Sequence, residues 1–471
     1  MIGLTLEEIA TAVDGRLRLG AGADPQTVVD GLVDTDSRLI EPGGIFIAKP
    51  GEETDGHLFA DAALANGAAL LVVERELPLD VSQIIVPDSV VALGALATEV
   101  VSRVRALGRL KIVGITGSNG KTTTKNLLAT VLEQVGETVS PKASFNNEVG
   151  APITMLRLTE RTEFLVAEMG ASGIGEIARL IRMAKPDIGI VLKVGLAHAG
   201  EFGGIEATVT AKTEMVSDLD ADDVAILNID DARVAGMAQA TKARVLWFGL
   251  DDRAAVRATD IAADARGTSF TVHLPTGEQS PVRFNVLGEH HVMNALAAVA
   301  AAHTLGVPLD AIVRSLETVT RAERWRMELL GGRDGVTVIN DAYNASPDSM
   351  SAAIRTLAQI SAASSAGRTI AVLGAMSELG DWAGEEHDRI GLQVVRLGIG
   401  RLVVVGPEAR RMHITAINEG SWDGESVYFA TADEAYDYLN AEIAPGDTVL
   451  VKSSNSAGLR FLGDRLGDLF S

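Results

Sequence analysis

The clearest chemistry in the sequence belongs to a glycine-rich segment. Residues 110–124 read LKIVGITGSNGKTTT, which is an apolar run, a turn and the start of a helix. Gly117 and Gly120 lack a Cβ, so the backbone can curl closely around phosphate oxygens. The N–H groups that begin the helix point at the same place. Lys121 supplies a cation for the β- and γ-phosphates, and Thr122 supplies a hydroxyl for Mg²⁺. The segment therefore predicts a site for nucleotide phosphates.

The segment departs from a strict P-loop at one position. A strict P-loop has a glycine five residues before Gly120, where this chain has Ile115. The alternative is an ordinary tight turn between a strand and a helix, in which the Lys-Thr pair occurs by chance. Apolar residues recur on one face of the helix predicted over 122–135. This regular strand, turn and helix favours the phosphate site.

Two other polar residues follow predicted strands. Glu168 ends the apolar strand predicted over 164–168, and His198 follows the strand predicted over 188–194. Open α/β sheets bind ligands at the carboxyl ends of their strands. Glu168 offers an oxygen ligand suited to Mg²⁺, with a structural carboxylate paired to a loop as the alternative. For His198, spacing alone favours a structural hydrogen bond over a ligand role.

The elements that must position these residues alternate along the chain. In the middle of the chain, helices are predicted over 122–135, 176–183 and 295–303, and strands over 112–116, 164–168, 188–194, 224–228 and 245–249. Such alternation is typical of a mostly parallel sheet. A mixed region with a helix over 57–66 precedes it, and a second alternating set follows. We predict three α/β domains: a small N-terminal domain (1–107), a central P-loop-type domain (108–326) and a C-terminal Rossmann-like domain (327–471).

Composition limits the classes of protein that remain. Of 471 residues, 47% are hydrophobic and 22% are charged, so packed cores are expected and global disorder is not. The formal net charge of -22 argues against nucleic acid as a partner. No cysteine is present, which excludes disulfides and thiolate metal sites. Neither a signal peptide nor an apolar stretch of about 18 residues is visible. We therefore expect no membrane span and a cytoplasmic location.

Motifs throughout the chain resemble those of the Mur ligase family, cytoplasmic enzymes that form amide bonds in peptidoglycan precursor synthesis. Besides the glycine-rich segment, they follow in the family's order: SFNNEVGAP (144–152), VAEMG (166–170), AHAG (197–200), AKTEM (211–215), GEHHVMNALA (288–297), DAYNASP (341–347), VLGAMSELG (372–380) and KSS (452–454). Within the family, DAYNASP is similar to the corresponding motif of the member that adds D-alanyl-D-alanine to UDP-N-acetylmuramoyl-tripeptide. The Asp-Asn-Pro-Arg motif typical of the relative that adds meso-diaminopimelate does not occur.

The resemblance implies an ATP-dependent peptide ligase that works with Mg²⁺. ATP would convert the terminal carboxylate of the tripeptide into an acyl phosphate, which the amine of the dipeptide would attack. Such an enzyme serves cell wall biogenesis, and with it cell shape, cell division and the cell cycle. The alternatives are another Mur ligase, a folylpolyglutamate synthetase-like ligase, or a nucleotide-binding scaffold without catalysis. Retention of Lys121, Glu168, His198 and Lys212 argues against the scaffold.

The resemblance also implies roles for individual residues. Asn294 would contact adenine, with a helix N-cap as the alternative, and the family usually has asparagine where this chain has His291. The metal ligands would be Thr122, Glu168, His198 and Lys212. The ATP site would comprise Gly117, Ser118, Asn119, Gly120, Lys121, Thr122, Thr123, Asn294, Arg326 and Asp341.

The substrates are expected at three places. Ser37 and Arg38 are candidates for the uridine diphosphate end, although a solvated loop explains them nearly as well. Asn146 and Asn147 would lie near the acyl-accepting end of the tripeptide, or simply hold a turn. The dipeptide pocket would comprise Tyr343, Asn344, Ala345, Pro347, Lys452 and Ser453. A monomer is expected.

Lys212 is unusual in its predicted surroundings. In a helix over about 205–219, its neighbours one turn away are uncharged: Thr208, Val209, Met215 and Val216. Apolar surroundings lower the pKa of an amine, and only the neutral amine reacts with carbon dioxide. The family has a carbamylated lysine at the matching position, which implies the same for Lys212. The alternative is a lysine that extends from an apolar face to water.

Overall fold

The computed structural model describes residues 1–51, 54–141, 144–195, 204–264, 267–319, 324–363, 367–419 and 425–471. They form three α/β domains with mostly parallel sheets, as the sequence predicts. We propose the domain boundaries at 107–108 and 326–327. Each falls in a connection between the last helix that precedes it and the first strand of the next sheet.

The first domain holds a five-stranded sheet and a separate two-stranded one. Strands β4 to β7 are parallel, β2 joins β7 antiparallel, and β1 pairs with β3. The strands are β1 (Leu4–Thr5), β2 (Arg16–Arg18), β3 (Val28–Val29), β4 (Val33–Asp34), β5 (Ile45–Ile47), β6 (Leu70–Val73) and β7 (Ser82–Ile85). The helices are α1 (Leu6–Ala12), α2 (Ala60–Ala65) and α3 (Ser89–Ala106).

The central domain is built on a nine-stranded sheet in the order β16-β15-β14-β13-β12-β11-β8-β10-β9. Its strands are β8 (Lys111–Thr116), β9 (Thr138–Val139), β10 (Phe164–Glu168), β11 (Ile188–Val191), β12 (Val224–Asn228), β13 (Arg244–Gly249), β14 (Val256–Asp264), β15 (Gly267–His273) and β16 (Gln279–Phe284). The pairs from β9 to β14 are parallel, and β15 and β16 extend the sheet antiparallel.

Helices cover both faces of this sheet. They are α4 (Lys121–Leu132), α5 (Gly150–Met155), α6 (Glu176–Ala184), α7 (Ile205–Ser217), α8 (Ala232–Gly236), α9 (Glu289–Thr304) and α10 (Leu309–Thr318). Because a parallel sheet is buried on both faces, its parallel strands are mostly apolar, with polar residues chiefly at their ends. Ile112 and Val113, which are neighbours in β8, enter separate core clusters on the two faces.

The third domain has a six-stranded sheet in the order β17-β18-β22-β19-β20-β21, in which β17 alone is antiparallel to its neighbour. The strands are β17 (Glu328–Gly331), β18 (Thr337–Asn340), β19 (Thr369–Leu373), β20 (Arg401–Val405), β21 (Glu425–Phe429) and β22 (Thr448–Lys452). The helices are α11 (Pro347–Ala363), α12 (Ala383–Arg396), α13 (Arg410–Asn418), α14 (Ala432–Glu442) and α15 (Leu459–Leu469). The last strand of the chain therefore lies inside the sheet.

The first domain packs on the central domain through α3. This helix contacts α5 and α6, and one apolar core runs through all three. The approach is closest at Gly94, where an added Cβ would lie 2.6 Å from the Met183 Cε. A small residue at this position lets the two helices meet.

Several predicted boundaries differ from the structure. The strand predicted over 188–194 ends at Val191, and the helix predicted over 122–135 ends at Leu132. The segment 57–66 is split into a 3₁₀ turn, Gly56–Phe59, and the short α2. The helix predicted over 295–303 starts six residues earlier, and Gly288 is its N-cap with a φ of 101°. Asn294 therefore lies inside this helix, and its interpretation as an N-cap is wrong.

Candidate active site

A cleft of about 250 Å³ lies between the central and C-terminal domains. It brings together most of the predicted site residues: Ser118, Asn119, Gly120, Lys121, Thr122, Thr123, Asn146, Glu168, Asn294, Arg326, Asp341, Tyr343, Asn344, Ala345 and Lys452. Residues for which no role was predicted also line it: Ser144, His290, His291, Ser346 and Ser349. Since these residues come from distant parts of the chain, the fold assembles the cleft rather than any single motif.

The glycine-rich turn connects β8 to α4 at the bottom of this cleft. Gly120 is the N-cap of α4 with a φ of 88°, a left-handed conformation that favours glycine. A Cβ on Gly120 would lie 2.2 Å from the Asn294 Oδ1, so glycine also lets α9 approach the turn. The Lys121 ammonium donates to the Gly117 carbonyl at 2.7 Å. The turn thus directs a helix N-terminus and a cation into the cleft.

Buried charges surround the turn. Burial lowers the pKa of the Lys121 ammonium, while the nearby Glu168 carboxylate opposes that shift and Arg326 adds to it. Lys212 lies in α7 and is only 3% exposed. Burial, followed by repulsion from Lys121, lowers its pKa to about 7. Cations held close together out of water favour an anionic ligand between them.

Glu168 has one oxygen in a hydrogen bond and one without. It ends β10 and is 1% exposed. Its Oε1 accepts from the Asn146 Nδ2 at 2.8 Å, and its buried Oε2 has no hydrogen-bond partner among the described residues. A buried carboxylate oxygen without a partner is costly, and a hard cation is a ligand that would satisfy it. The nearby Thr122 hydroxyl adds a second oxygen, so the donor set fits Mg²⁺.

His198 lies outside the described residues. Among those that are described, no group of three or more His, Asp or Glu side chains is arranged to hold a metal ion. The predicted ligand set does not require such a group, because it includes a hydroxyl at Thr122 and a modified amine at Lys212. The set as a whole stays a prediction.

Two histidines and an asparagine of α9 form one wall of the cleft. The rings of His290 and His291 are 4.2 Å apart. Burial lowers the pKa of His290 to about 4 and the pKa of His291 well below its ordinary value, so both rings are neutral at pH 7. The Asn294 Nδ2 is 3.4 Å from the His291 Nδ1, and in the part of the chain that the structure describes the buried His291 Nε2 has no hydrogen-bond partner. This wall can offer neutral hydrogen-bonding groups to a nucleobase.

The opposite wall belongs to the C-terminal domain. The Lys452 ammonium, 2% exposed, donates to the Asp341 Oδ2 at 2.6 Å and to the Asn344 carbonyl at 3.1 Å. The Asp341 Oδ1 accepts from the Met327 N–H at 3.0 Å. Both oxygens of Asp341 are therefore already engaged within the protein. Through these contacts with Asp341 and Asn344, Lys452 holds the DAYNASP segment in place.

Contacts between the two domains run through Arg326 and Tyr343. The Arg326 guanidinium lies 4.3 Å from the Tyr343 ring centre and donates to the Thr122 Oγ1 at 3.3 Å. Trp325 and Met327, on either side, both have a positive φ, of 60° and 50°. Such backbone is strained in residues with a side chain. The strain is located where the chain turns Arg326 towards the central domain.

The remaining predicted residues do not line the cleft. Ser453 is fully buried and donates to the Ser454 carbonyl, and Pro347 is buried at the start of α11. The Asn147 side chain accepts from the Gly150 N–H at 2.9 Å, which agrees with its interpretation as a turn residue. Far away in the first domain, Ser37 is 6% exposed rather than solvated, whereas the Arg38 side chain is 85% exposed and paired with Asp36.

Comparisons with known proteins agree with this architecture. Three family models match the chain: "Mur ligase family, catalytic domain" over residues 31–111, "Mur ligase middle domain" over residues 115–302, and "Mur ligase, glutamate ligase domain" over residues 325–455. The chain belongs to the Mur ligase family. The three-domain α/β fold and the family predicted from the sequence are therefore confirmed, and the chain is an ATP-dependent peptide ligase by class.

Particular members of the family are close to the chain over its full length. The UDP-N-acetylmuramoyl-tripeptide–D-alanyl-D-alanine ligase of Mycobacterium tuberculosis (strain H37Rv) is 43% identical over 506 residues, covering 99% of this chain and 98% of that protein. The crystal structure of MurF from Acinetobacter baumannii is 31% identical, with a TM-score of 0.88 and 99% coverage of each chain. The MurF ligase from Thermotoga maritima in complex with ADP is 26% identical, with a TM-score of 0.81, covering 94% and 98% of the two chains.

No described helix is long and apolar enough to cross a membrane.

Proposed function

We propose that this chain joins D-alanyl-D-alanine to UDP-N-acetylmuramoyl-tripeptide in peptidoglycan precursor synthesis, with an acyl phosphate as the intermediate and ATP as the phosphoryl donor. The observation that carries the proposal is the cleft itself. Between the glycine-rich turn and the DAYNASP segment, buried cations face a buried carboxylate with one free oxygen. Full-length similarity to D-alanyl-D-alanine ligases supports the choice of substrates.

The first step transfers the γ-phosphoryl group to the carboxylate of the tripeptide. Lys121 and the N-terminus of α4 bind the phosphates, and Arg326 approaches the same place from the interdomain linker. In phosphoryl transfer the protein mainly positions groups and neutralises charge. Mg²⁺, held by Thr122, Glu168 and a carbamylated Lys212, with His198 at a second metal, would supply Lewis-acid stabilisation of the phosphates.

The second step is attack by the amine of the dipeptide on the acyl phosphate. We place the dipeptide beside Tyr343, Asn344 and Ala345, which line the cleft opposite the glycine-rich turn. We place Pro347, Lys452 and Ser453 behind these three residues. Lys452 supports the pocket by donating a hydrogen bond to the Asn344 carbonyl. Contacts between the domains bring this pocket to the phosphate side and exclude water from a reactive intermediate.

The outer ends of the substrates are assigned by position in the fold. Asn146 joins Glu168 beside the phosphates, so we place the carboxylate of the tripeptide there, with Asn147 next along the chain. We place the nucleobase of ATP against Asn294 and its ribose near Asp341. Ser37 and Arg38 remain candidates for the uridine diphosphate end. We further propose that the protein is a monomer and that it acts in the cytoplasm, where ATP is available.

Product formation tests the proposal directly. Purified enzyme with ATP, Mg²⁺, D-alanyl-D-alanine and a UDP-muramoyl tripeptide should release phosphate and yield the pentapeptide, detected by mass. Two tripeptides, ending in lysine or in meso-diaminopimelate, show which one is preferred. Single amino acids and folate substrates are the controls for the other ligases of this class. Phosphate release that ignores the dipeptide would reject this function.

A further inference from the structure

Ser144 lies between the glycine-rich turn and the C-terminal domain. Its Oγ is 3.3 Å from the Thr122 Oγ1 and 3.2 Å from the Tyr343 hydroxyl. Three hydroxyls thus form a continuous row from α4 to the DAYNASP segment. Both ends of the row face groups with proposed roles, phosphates at Thr122 and the dipeptide at Tyr343. Ser144 is the link between them.

The direction of these hydrogen bonds depends on what binds to Thr122. A hydroxyl has one proton to donate and two positions at which it accepts. The Arg326 guanidinium, which can only donate, takes one accepting position of Thr122. A cation that coordinates the same oxygen takes the other position, so Thr122 can then act only as the donor in its contact with Ser144. With no cation, the row can run in either direction.

The consequence appears at the far end of the row. When Ser144 accepts from Thr122, its own proton is available for donation to the Tyr343 oxygen, 3.2 Å away. The proton of Tyr343 is then free to point into the cleft. The Tyr343 ring cannot turn away easily, because the Arg326 guanidinium is stacked 4.3 Å from its centre. Tyr343 becomes a fixed donor for an anionic oxygen.

We propose that Ser144 is a positioning residue that reports occupation of the nucleotide site to Tyr343, which then donates a hydrogen bond to an oxyanion of the second substrate or of the acyl phosphate. The inference rests on the proposed function, in which a nucleotide-bound cation contacts Thr122. It assigns Ser144 no contact with substrate. If the hydrogen bonds of Ser144 only hold these segments together, protection at Tyr343 does not depend on the nucleotide.

Hydrogen–deuterium exchange tests the link without turnover. In the wild-type protein, a non-hydrolysable ATP analogue with Mg²⁺ should slow exchange both at 114–122 and at 343–349. In Ser144→Ala the first effect should remain and the second should fall at least about threefold. Ser144→Thr keeps a hydroxyl and should behave as the wild type. Equal protection of 343–349 in the wild type and Ser144→Ala would overturn the inference.

A double-mutant cycle tests the same link in the reaction. Loss of one neutral hydrogen bond typically changes an equilibrium by about fivefold. Ser144→Ala and Tyr343→Phe should each raise the dipeptide KM about fivefold, with the ATP KM within twofold of the wild type. Because both substitutions interrupt the same row of hydroxyls, the double variant should also raise the dipeptide KM about fivefold. An increase near 25-fold in the double variant, or an equal rise in the ATP KM, would contradict a shared link.

Further measurements identify the oxyanion and distinguish a failure of this inference from a failure of the proposed function. With D-alanyl-D-alanine amide, which lacks the carboxylate, the Tyr343→Phe effect vanishes if that carboxylate is the acceptor and persists if a phosphoryl oxygen is. Ser280→Ala, in the edge strand β16, is the matched control, since among the described residues its hydroxyl donates to the carbonyl of its neighbour Pro281. If the wild type makes no product, the proposed function fails, while the exchange experiment still decides the link from nucleotide binding alone.

Discussion

Carbamylation of Lys212 should depend on pH in a way that its surroundings determine. Carbon dioxide reacts with the neutral amine, giving a carbamate and releasing a proton. A pKa of about 7 leaves about nine-tenths of the side chain neutral at pH 8, against about 0.3% at the ordinary value of 10.5. Lys212 should therefore react about 300-fold faster at this pH than an exposed lysine of equal intrinsic reactivity.

The measurement is recovery of activity after carbon dioxide has been removed. At a fixed concentration of dissolved carbon dioxide, the rate of recovery should rise about tenfold per pH unit below pH 7 and level off above it. ¹³C-labelled carbon dioxide should give a carbamate signal in the wild type and in Lys242→Ala, an exposed control, but not in Lys212→Ala. Short carboxylates should partly restore activity to Lys212→Ala.

One result would refute this reasoning. If the rate of recovery keeps rising tenfold per unit from pH 8 to pH 9, the amine has its ordinary pKa and the effect of burial has been misjudged. Full activity of Lys212→Ala would remove the carbamate from the reaction altogether. A carbamate signal with the pH dependence of an ordinary lysine would show that Lys212 is modified, but would reject its lowered pKa as the cause.

Three other substitutions test the site. Lys121→Ala should lower kcat by a factor of about 10²–10³ or more with an unchanged melting temperature, because the Lys121 charge stabilises the transferring phosphoryl group. Near-normal turnover would contradict the assignment of the phosphate site. Asn344→Ala should raise the dipeptide KM by a factor of about 5–150, equivalent to about 1–3 kcal/mol, with little change in the ATP KM; a raised ATP KM with an unchanged dipeptide KM would place Asn344 at the nucleotide instead. Gly120→Ala should weaken binding of an ATP analogue by calorimetry, because its Cβ would meet Asn294 at 2.2 Å; unchanged affinity would contradict the close approach.

The parts of the fold that could be predicted are those encoded locally. The glycine-rich turn is one continuous strand, turn and helix, and the conformation of Gly120 requires the residue found there. The strands at 164–168 and 224–228 are predicted to the residue, because buried parallel strands are short apolar runs. By contrast, β14, β15 and β16 are not among the predicted strands; β14 pairs parallel with β13, and β15 and β16 add an antiparallel edge to the sheet.

The parts of the site that could not be predicted depend on distant contacts. The helix that carries Asn294 begins with Glu289, His290 and His291, which have no apolar periodicity, so its start was placed too late. Ser144 falls in a motif that was recognised, but its contacts with Thr122 and Tyr343 require three distant segments to meet. Types and spacing of residues do not carry that information.

The position of β22 in the middle of the third sheet has a consequence for protein synthesis. A chain that emerges from the ribosome N-terminus first can complete the sheets of its first two domains early, but β18 and β19 have no partner between them until β22 arrives. That strand also brings Lys452, which binds the DAYNASP segment. A nascent chain therefore carries the glycine-rich turn long before it carries a finished version of the proposed dipeptide pocket. A chain truncated before β22 would lack both the central strand of this sheet and Lys452.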